Sequence, residues 1–311
     1  MTKIHFGVQY NGVSMASVIG PLEFAERAET WGYESFFAPD LETLPSLDPM
    51  VLLPAVSQRA TKMMLGTGVM ALPFRNPYQL AKAAVSLDTL SNERLILGLG
   101  VGLLPLDFHV QQVDMRQRGK ITDELLGVLS SFLDGETVTH HGKFYDVEST
   151  TLAPKPSRHI PIWLGGSWDN GFSDAALRRV AEFGDGFHPT DVPVEGYAEG
   201  IKRISELAVG YGRDATKMEW ACNMWLCMGK SKDEALVEVN AALKHRFGDD
   251  AWEADPNACY AIGTANDCIE TIEAYVAIGV STFVMNVLSK PDRLLINYEE
   301  FALEVAPHSR R

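Results

Sequence analysis

The chain has 311 residues, of which 46% are hydrophobic and 22% charged, the make-up of a soluble globular protein with a large core. Its formal net charge of -14 works against duplex nucleic acid and anionic membrane surfaces as partners. No apolar run approaches the ~20 residues of a membrane span, and Cys222, Cys227, Cys259 and Cys268, with neither a C-x-x-C nor zinc-site spacing, read as free thiols of a reducing cytoplasm.

The N-terminus, MTKIHFGVQY, has no signal-peptide apolar region and enters a strand over His5–Tyr10. A helix follows over Pro21–Trp31, with Phe24, Ala25, Ala28 and Trp31 inward and Gly32 as its stop. Ser35–Asp40 is the second strand and Asp48–Arg59 its helix. Leu65–Met70 and Leu95–Val101 are short apolar runs of the kind buried on both faces of a parallel sheet. Between them Asn76 caps, and Pro77 opens, a helix with Leu80, Ala83, Ala84, Leu87 and Leu90 on one stripe. Gln117–Leu133 is the next helix.

The period then changes. Thr137–Glu148 alternates and turns at Gly142, the pattern of a β-hairpin inserted between strand–helix units. Pro161–Gly166 resumes the parallel strands, followed by helix Ala175–Phe183, strand Asp185–Thr190 and a helix over 194–210. Strand Glu219–Met228 and helix Lys232–Arg246 come next, and residues 248–263 read as a loop. Helix Ala265–Ile278, strand Thr282–Val287 and a helix over 291–305 close the chain. Eight strand–helix units predict an α/β fold, a (β/α)8 TIM barrel with a small inserted β-hairpin, formed as one domain over 1–311.

The chemistry should sit where the parallel strands end. Gly66 and Gly68, then Gly98, Gly100 and Gly102, leave no Cβ in the way of something flat, so a planar cofactor is expected there. GLGVGLL (98–104) is no dinucleotide fingerprint, because Leu103 stands where the third glycine belongs. Asp40 ends the second strand, either as a turn or cap residue or as a carboxylate for positioning or acid–base work. Gly165, Gly166 and Ser167 precede a helix and could present backbone N–H groups to a phosphate, whose space a side chain at Gly166 would fill. GDGFHPT brings Gly186, His188 and Thr190 to the adjacent strand end. Parallel closure places Tyr10, Asp40, Met70, Gly102, Ser167 and Thr190 on one open face. His140 and His141 face opposite ways on the hairpin, and no metal site is expected.

These segments, taken in order, resemble the luciferase-like flavin oxidoreductases, which include bacterial luciferase, alkanal monooxygenases and enzymes using the deazaflavin coenzyme F-420. The likeness is carried by LGTGVMALPFRNP, SNERLILGLGVG, RGKITDELL, GKFYDVE, APKPSRHIPIWLGG, FGDGF and GTANDCIETIEAYVAIGVSTFVMNV, and spans nearly the whole chain.

The resemblance implies a flavin or deazaflavin ring at the barrel mouth, lying against Gly68, Val69 and Met70 with Gly100 and Gly102 nearby. It implies phosphate binding by Gly165, Gly166, Ser167 and the 186–190 strand end, including Gly186 and Thr190. It further implies a bulge built on a non-proline cis peptide, which maps onto Gly68–Val69. Asp40 and His188 are the candidate catalytic residues.

Two departures matter: Asp40 is followed by Leu41 where the deazaflavin dehydrogenases often have histidine, and Leu103 stands where some have glutamate. The segment Trp168–Asp174 also looks longer than is usual. The leading expectation is an oxidoreductase moving hydride between coenzyme F-420 and a small organic substrate. The alternatives are an FMN-dependent monooxygenase served by a partner flavin reductase, and a flavin-binding protein without catalysis. A homodimer is what the resemblance implies for assembly.

Overall fold

The computed structural model describes residues 3–168, 171–248, 254 and 259–309. Eight parallel strands form a ring: β1 His5–Gln9, β2 Ser35–Ala38, β3 Met64–Thr67, β4 Leu95–Gly100, β5 Ile162–Leu164, β6 Gly186–Phe187, β7 Glu219–Met228 and β8 Thr282–Val287. Each pairs with the next, and β8 returns to β1 through the register His5↔Thr282 to Val8↔Met285. The sheet has no free edge within the ring, the (β/α)8 barrel expected from the alternation.

The helices that follow the strands are α1 Pro21–Thr30, α2 Pro49–Ser57, α3 Pro77–Leu90, α4 Arg118–Leu133, α5 Asp174–Phe183, α6 Val194–Gly210, α7 Lys232–Phe247 and α8 Ala265–Ala277, with a last helical stretch from Leu294 to Ser309 and short helices at Gly12–Met15 and Pro105–Val110. Their starts are written locally. Asn76 accepts from the N–H groups of Tyr78 and Gln79, and Thr264 and Asp267 form a capping box on α8.

Alternation along the strands sorts the side chains. Phe6, Val8, Phe36, Ala38, Leu97 and Leu99 point outward into the layer shared with the helices. Phe37, Ile96, Trp163, Ala221 and Val284 point inward and fill the barrel's lower half. The same parity corrects two expectations for the open face. Tyr10 packs outward against Phe24 and Phe36 and donates its hydroxyl to Ile19 O, and the Met70 side chain is buried in the outer layer. Their strands end at the mouth; their side chains do not face it.

The stretch read as a loop over 248–263 contains a further parallel strand, Tyr260–Gly263, which pairs with Trp225–Met228 beyond the ring. Its four apolar residues are too few to stand out beside the polar run before them. Residues 249–253 and 255–258 of that loop reading, and 169 and 170 of the 168–174 segment, lie outside the described residues. Among the described residues no helix is long and apolar enough to cross a membrane.

The inserted hairpin pairs Thr137–His141 with Asp146–Thr151. Its turn is held by one carboxylate: Glu124 of α4 accepts from the backbone N–H groups of Lys143, Phe144 and Tyr145 at 3.1, 2.9 and 2.8 Å. Burial works to raise the Glu124 pKa, but these three donors and the nearby His140 outweigh it and hold the group below its ordinary value. The stabilisation is therefore complete above the unfolded-state pKa and is lost as pH falls through the lowered folded-state value. Glu124→Ala should cost about 2 kcal/mol and speed hydrogen exchange at Lys143–Tyr145. Unchanged exchange at these amides would show that the turn holds itself.

Candidate active site

The site is built around a corner just past β3. Gly66 pairs with Ile96, and Met70 pairs with Leu99, so the β3 side carries one residue more than β4 between those partners. The surplus falls at Gly68–Val69, whose peptide bond is cis. Gly68 N–H donates to Ala38 O at 2.8 Å and Thr67 Oγ1 to Gly98 O at 2.6 Å, fixing the chain on both sides of the bulge.

The glycines of β4 and β5 have a different immediate reason from the one their pattern indicates. A Cβ on Gly98 would stand 1.9 Å from Thr67 O, one on Gly100 2.8 Å from Val69 Cγ2, and one on Gly165 3.2 Å from Val69 Cγ1. They form a notch that takes the Val69 side chain. Gly102, at φ +78, brings the chain past the Phe108 ring, where a Cβ would come within 2.8 Å.

Asp40 holds this corner. Its Oδ2 accepts from Ala71 N at 3.1 Å and its Oδ1 from Arg75 Nη2 at 2.7 Å, while Arg75 Nη1 reaches Asp48 at 3.0 Å. Tyr145 of the hairpin donates to Arg75 O at 3.2 Å, tying the insertion to the same corner. Burial pushes the Asp40 pKa up and Arg75 opposes the rise. Both carboxylate oxygens are engaged, which makes Asp40 an anchor for the residues after the bulge.

Opposite the notch lies a polar arc that the sequence reading mostly missed. Gln9 at the end of β1, His188 just after β6, Asn223 midway along the long β7 and Asn286 near the end of β8 face inward at the level of the mouth, on strands that are neighbours in the ring. Among the described residues, Gln9 Oε1, Asn223 Oδ1 and both ring nitrogens of His188 are buried without a hydrogen-bond partner. Buried polar atoms are normally satisfied, so a group of them facing one space marks where a ligand's polar atoms belong. The His188 ring lies 5.2 Å from Phe37 and 5.8 Å from Trp163, and burial lowers its pKa to about 4, leaving it neutral near pH 7. A single polar residue inside each of the runs WACNMWL and TFVMNV was the available clue.

The β5 and β6 ends meet through the pairing of Ser167 with Thr190. Three expectations change here. Gly165 N–H is donated to Leu99 O at 2.9 Å and belongs to the barrel. A Cβ on Gly166 would lie 3.1 Å from the Phe187 ring, so a side chain there would press into the outer core and leave the mouth clear. Gly186 lies one inward position below His188; a Cβ there would come within 2.6 Å of the Trp163 ring, so packing against Trp163 by itself requires the missing side chain. Thr190 Oγ1 donates to Asp191 Oδ2 at 3.2 Å, and Asp191 Oδ1 accepts from Trp225 Nε1 at 2.8 Å. His140 and His141 stand apart from all this, on Glu124 and Asp146.

A closed parallel barrel with an anchored bulge on one side of its mouth and neutral polar groups on the other is the arrangement of (β/α)8 enzymes, whose active sites lie at the carboxyl face. Residues 12–282 match the family described as luciferase-like monooxygenase, and the chain belongs to that family of oxidoreductases. It is similar to 4-hydroxyprotoasukamycin monooxygenase of Streptomyces nodosus subsp. asukaensis, 25% identical over 322 residues covering 92% of this chain and 85% of that one. It is also similar to an F-420-dependent glucose-6-phosphate dehydrogenase of Nakamurella multipartita, 22% identical over 90% of each chain. Among solved structures, an F-420-dependent secondary alcohol dehydrogenase in complex with an F-420–acetone adduct superposes with a TM-score of 0.80 at 20% identity, covering 99% of this chain and 100% of that one.

Proposed function

We propose that this protein transfers hydride between coenzyme F-420 and a small, uncharged organic substrate. The observation that carries the reading is the Val69 corner, seated in its glycine notch, facing buried polar atoms that lack partners. A flat conjugated ring needs a firm apolar rest on one face and neutral donors and acceptors around it, and the donor set here matches that need. When bound, the deazaflavin supplies a carbon centre that takes up or gives hydride. The chain's own part is positional. Val69 supports the ring, Asp40 keeps the corner in place, and Ser167 and Thr190 are the groups that would hold the phosphate side. Neutral His188 donates to the oxygen of a carbonyl or hydroxyl substrate, while Gln9 Oε1 and Asn223 Oδ1 accept from O–H or N–H groups of the bound molecules.

An F-420-dependent glucose-6-phosphate dehydrogenase among the relatives supports the cofactor and the hydride transfer in this reading. A second reading, an FMN-dependent monooxygenase fed by a reductase, is favoured by the likeness to the Streptomyces monooxygenase over 92% of the chain. Fluorescence titration of the purified protein with F-420 and with FMN separates them. The expected result is F-420 binding at least tenfold tighter than FMN binding. The reverse order supports the monooxygenase, and no binding of either removes both.

A further inference from the structure

The four cysteines are all buried and reduced, yet two of them are not independent. Cys222 lies on β7 and Cys259 immediately precedes the outer strand Tyr260–Gly263, and their sulfurs are 2.6 Å apart across 37 residues of chain. The backbone fixes this meeting, because Trp225 N–H donates to Cys259 O at 2.9 Å and Trp225 pairs with Tyr260. Helices α6 and α8 cover the pair through Tyr197, which donates to Ala221 O, and Tyr275, which donates to Val192 O at 2.6 Å. The Cys259 thiol donates to the same Val192 oxygen at 3.2 Å. Loss of that thiol proton would leave Val192 O still satisfied by Tyr275, so the fold loses no obligatory hydrogen bond when the sulfurs join.

We propose that Cys222 and Cys259 are a modification site, forming a reversible intramolecular disulfide in the folded protein when hydrogen peroxide reaches them. One sulfur, as its thiolate, attacks the peroxide: an S–O bond forms, the O–O bond breaks, and hydroxide leaves and is protonated to water. The second thiol attacks that sulfur, the S–S bond forms, the S–O bond breaks, and a second water leaves. Two thiols are oxidised and one hydrogen peroxide is reduced to two waters; a dithiol such as dithiothreitol reverses the change. Burial pushes the Cys222 thiol well up, so little thiolate is present near pH 7 and the reaction is slow. The bond clamps the outer strand to β7 and closes a long loop, which stabilises the fold chiefly by restricting the unfolded chain.

The test uses the native full chain, treated with millimolar hydrogen peroxide, then unfolded, alkylated and weighed intact. The expected result is alkylation of two cysteines instead of four, a Cys222–Cys259 linked peptide in the unreduced digest, and a Tm raised by roughly 5 °C that returns to its starting value with dithiothreitol. Cys259→Ser and Cys222→Ala should each abolish the protection and leave three alkylatable thiols. Alkylation of all four cysteines after treatment, linkage through Cys227 or Cys268, or oxygen adducts in place of a cross-link would each overturn the proposal. If a variant does not fold, peptide mapping of the wild-type chain decides alone.

Discussion

Gly100→Val should abolish cofactor binding while leaving a folded barrel. The bare Cα of Gly100 faces Val69 Cγ2 so closely that a Cβ would stand 2.8 Å from it, and valine adds two methyl groups beyond that point. β4 is held on both sides by its ladders to β3 and β5, so the side that yields is the bulge. Val69 is driven out of its notch into the space the ring requires. Overpacking of this kind costs about 1–3 kcal/mol, which a barrel of this size survives, whereas the affinity for F-420 or FMN should fall by roughly a hundredfold or more, since a ring cannot share its seat with a methyl group. Val69→Ala in a Gly100→Ala background provides the control. Removal of the Val69 methyls relieves the clash and should restore the Tm, but the ring's rest is gone and binding should stay weak. Fluorescence titration and a thermal melt of the three proteins measure this; wild-type affinity in Gly100→Val would mean that the ring lies elsewhere.

The second large effect is expected at His188. Its imidazole is held neutral by burial, so it can donate from one nitrogen and accept at the other but cannot serve as a cationic acid near pH 7. His188→Leu removes both capacities and should lower turnover about a hundredfold, with cofactor affinity changed only slightly. His188→Gln keeps a neutral donor and acceptor and should stay within about tenfold of the parent. The same neutrality has a stability signature. The folded-state pKa of about 4 lies below the ordinary value of 6.5, so the unfolded chain takes up a proton more readily between those values. Stability is complete above pH 6.5 and is lost as pH falls towards 4, by about 3 kcal/mol over that window. Urea unfolding at pH 7 and pH 5 should show the loss in the parent and not in His188→Gln. An equal loss in both proteins would place the acid sensitivity in other groups.

Much of the barrel was legible because its strands are short apolar runs between capped amphipathic helices. Asn76-Pro77 and Thr264 with Asp267 announce helix starts through bonds that form within four residues. The cis corner was legible through family resemblance, and its glycines through their spacing. What escaped depends on parity and on contacts far apart in the chain. Tyr10 and Met70 end at the mouth by strand position, but a period of two turns them outward. Gly186 is a glycine because of Trp163, which is 23 residues away in sequence and adjacent only once the barrel closes. Gln9, Asn223 and Asn286 are ordinary polar residues until three neighbouring strands bring them to one side. Asp40 could be recognised as important, but its part as an anchor is decided by Ala71 and Arg75.

β7 is ten residues long, while β5 and β6, which precede it in the ring, have three and two. The excess of β7, joined by Tyr260–Gly263, stands above the ring as a two-stranded parapet. The mouth therefore has one raised wall, over β7. Thr190 stands at the foot of that wall: it pairs with Asn223 of β7, and the neighbouring Asp191 accepts from Trp225 of the wall itself. A ligand held at Ser167 and Thr190 would therefore run along the parapet, and the wall's height would limit its length on that side. Selectivity for molecular length can thus reside in strand length, set by a scaffold element that never touches the reacting atoms.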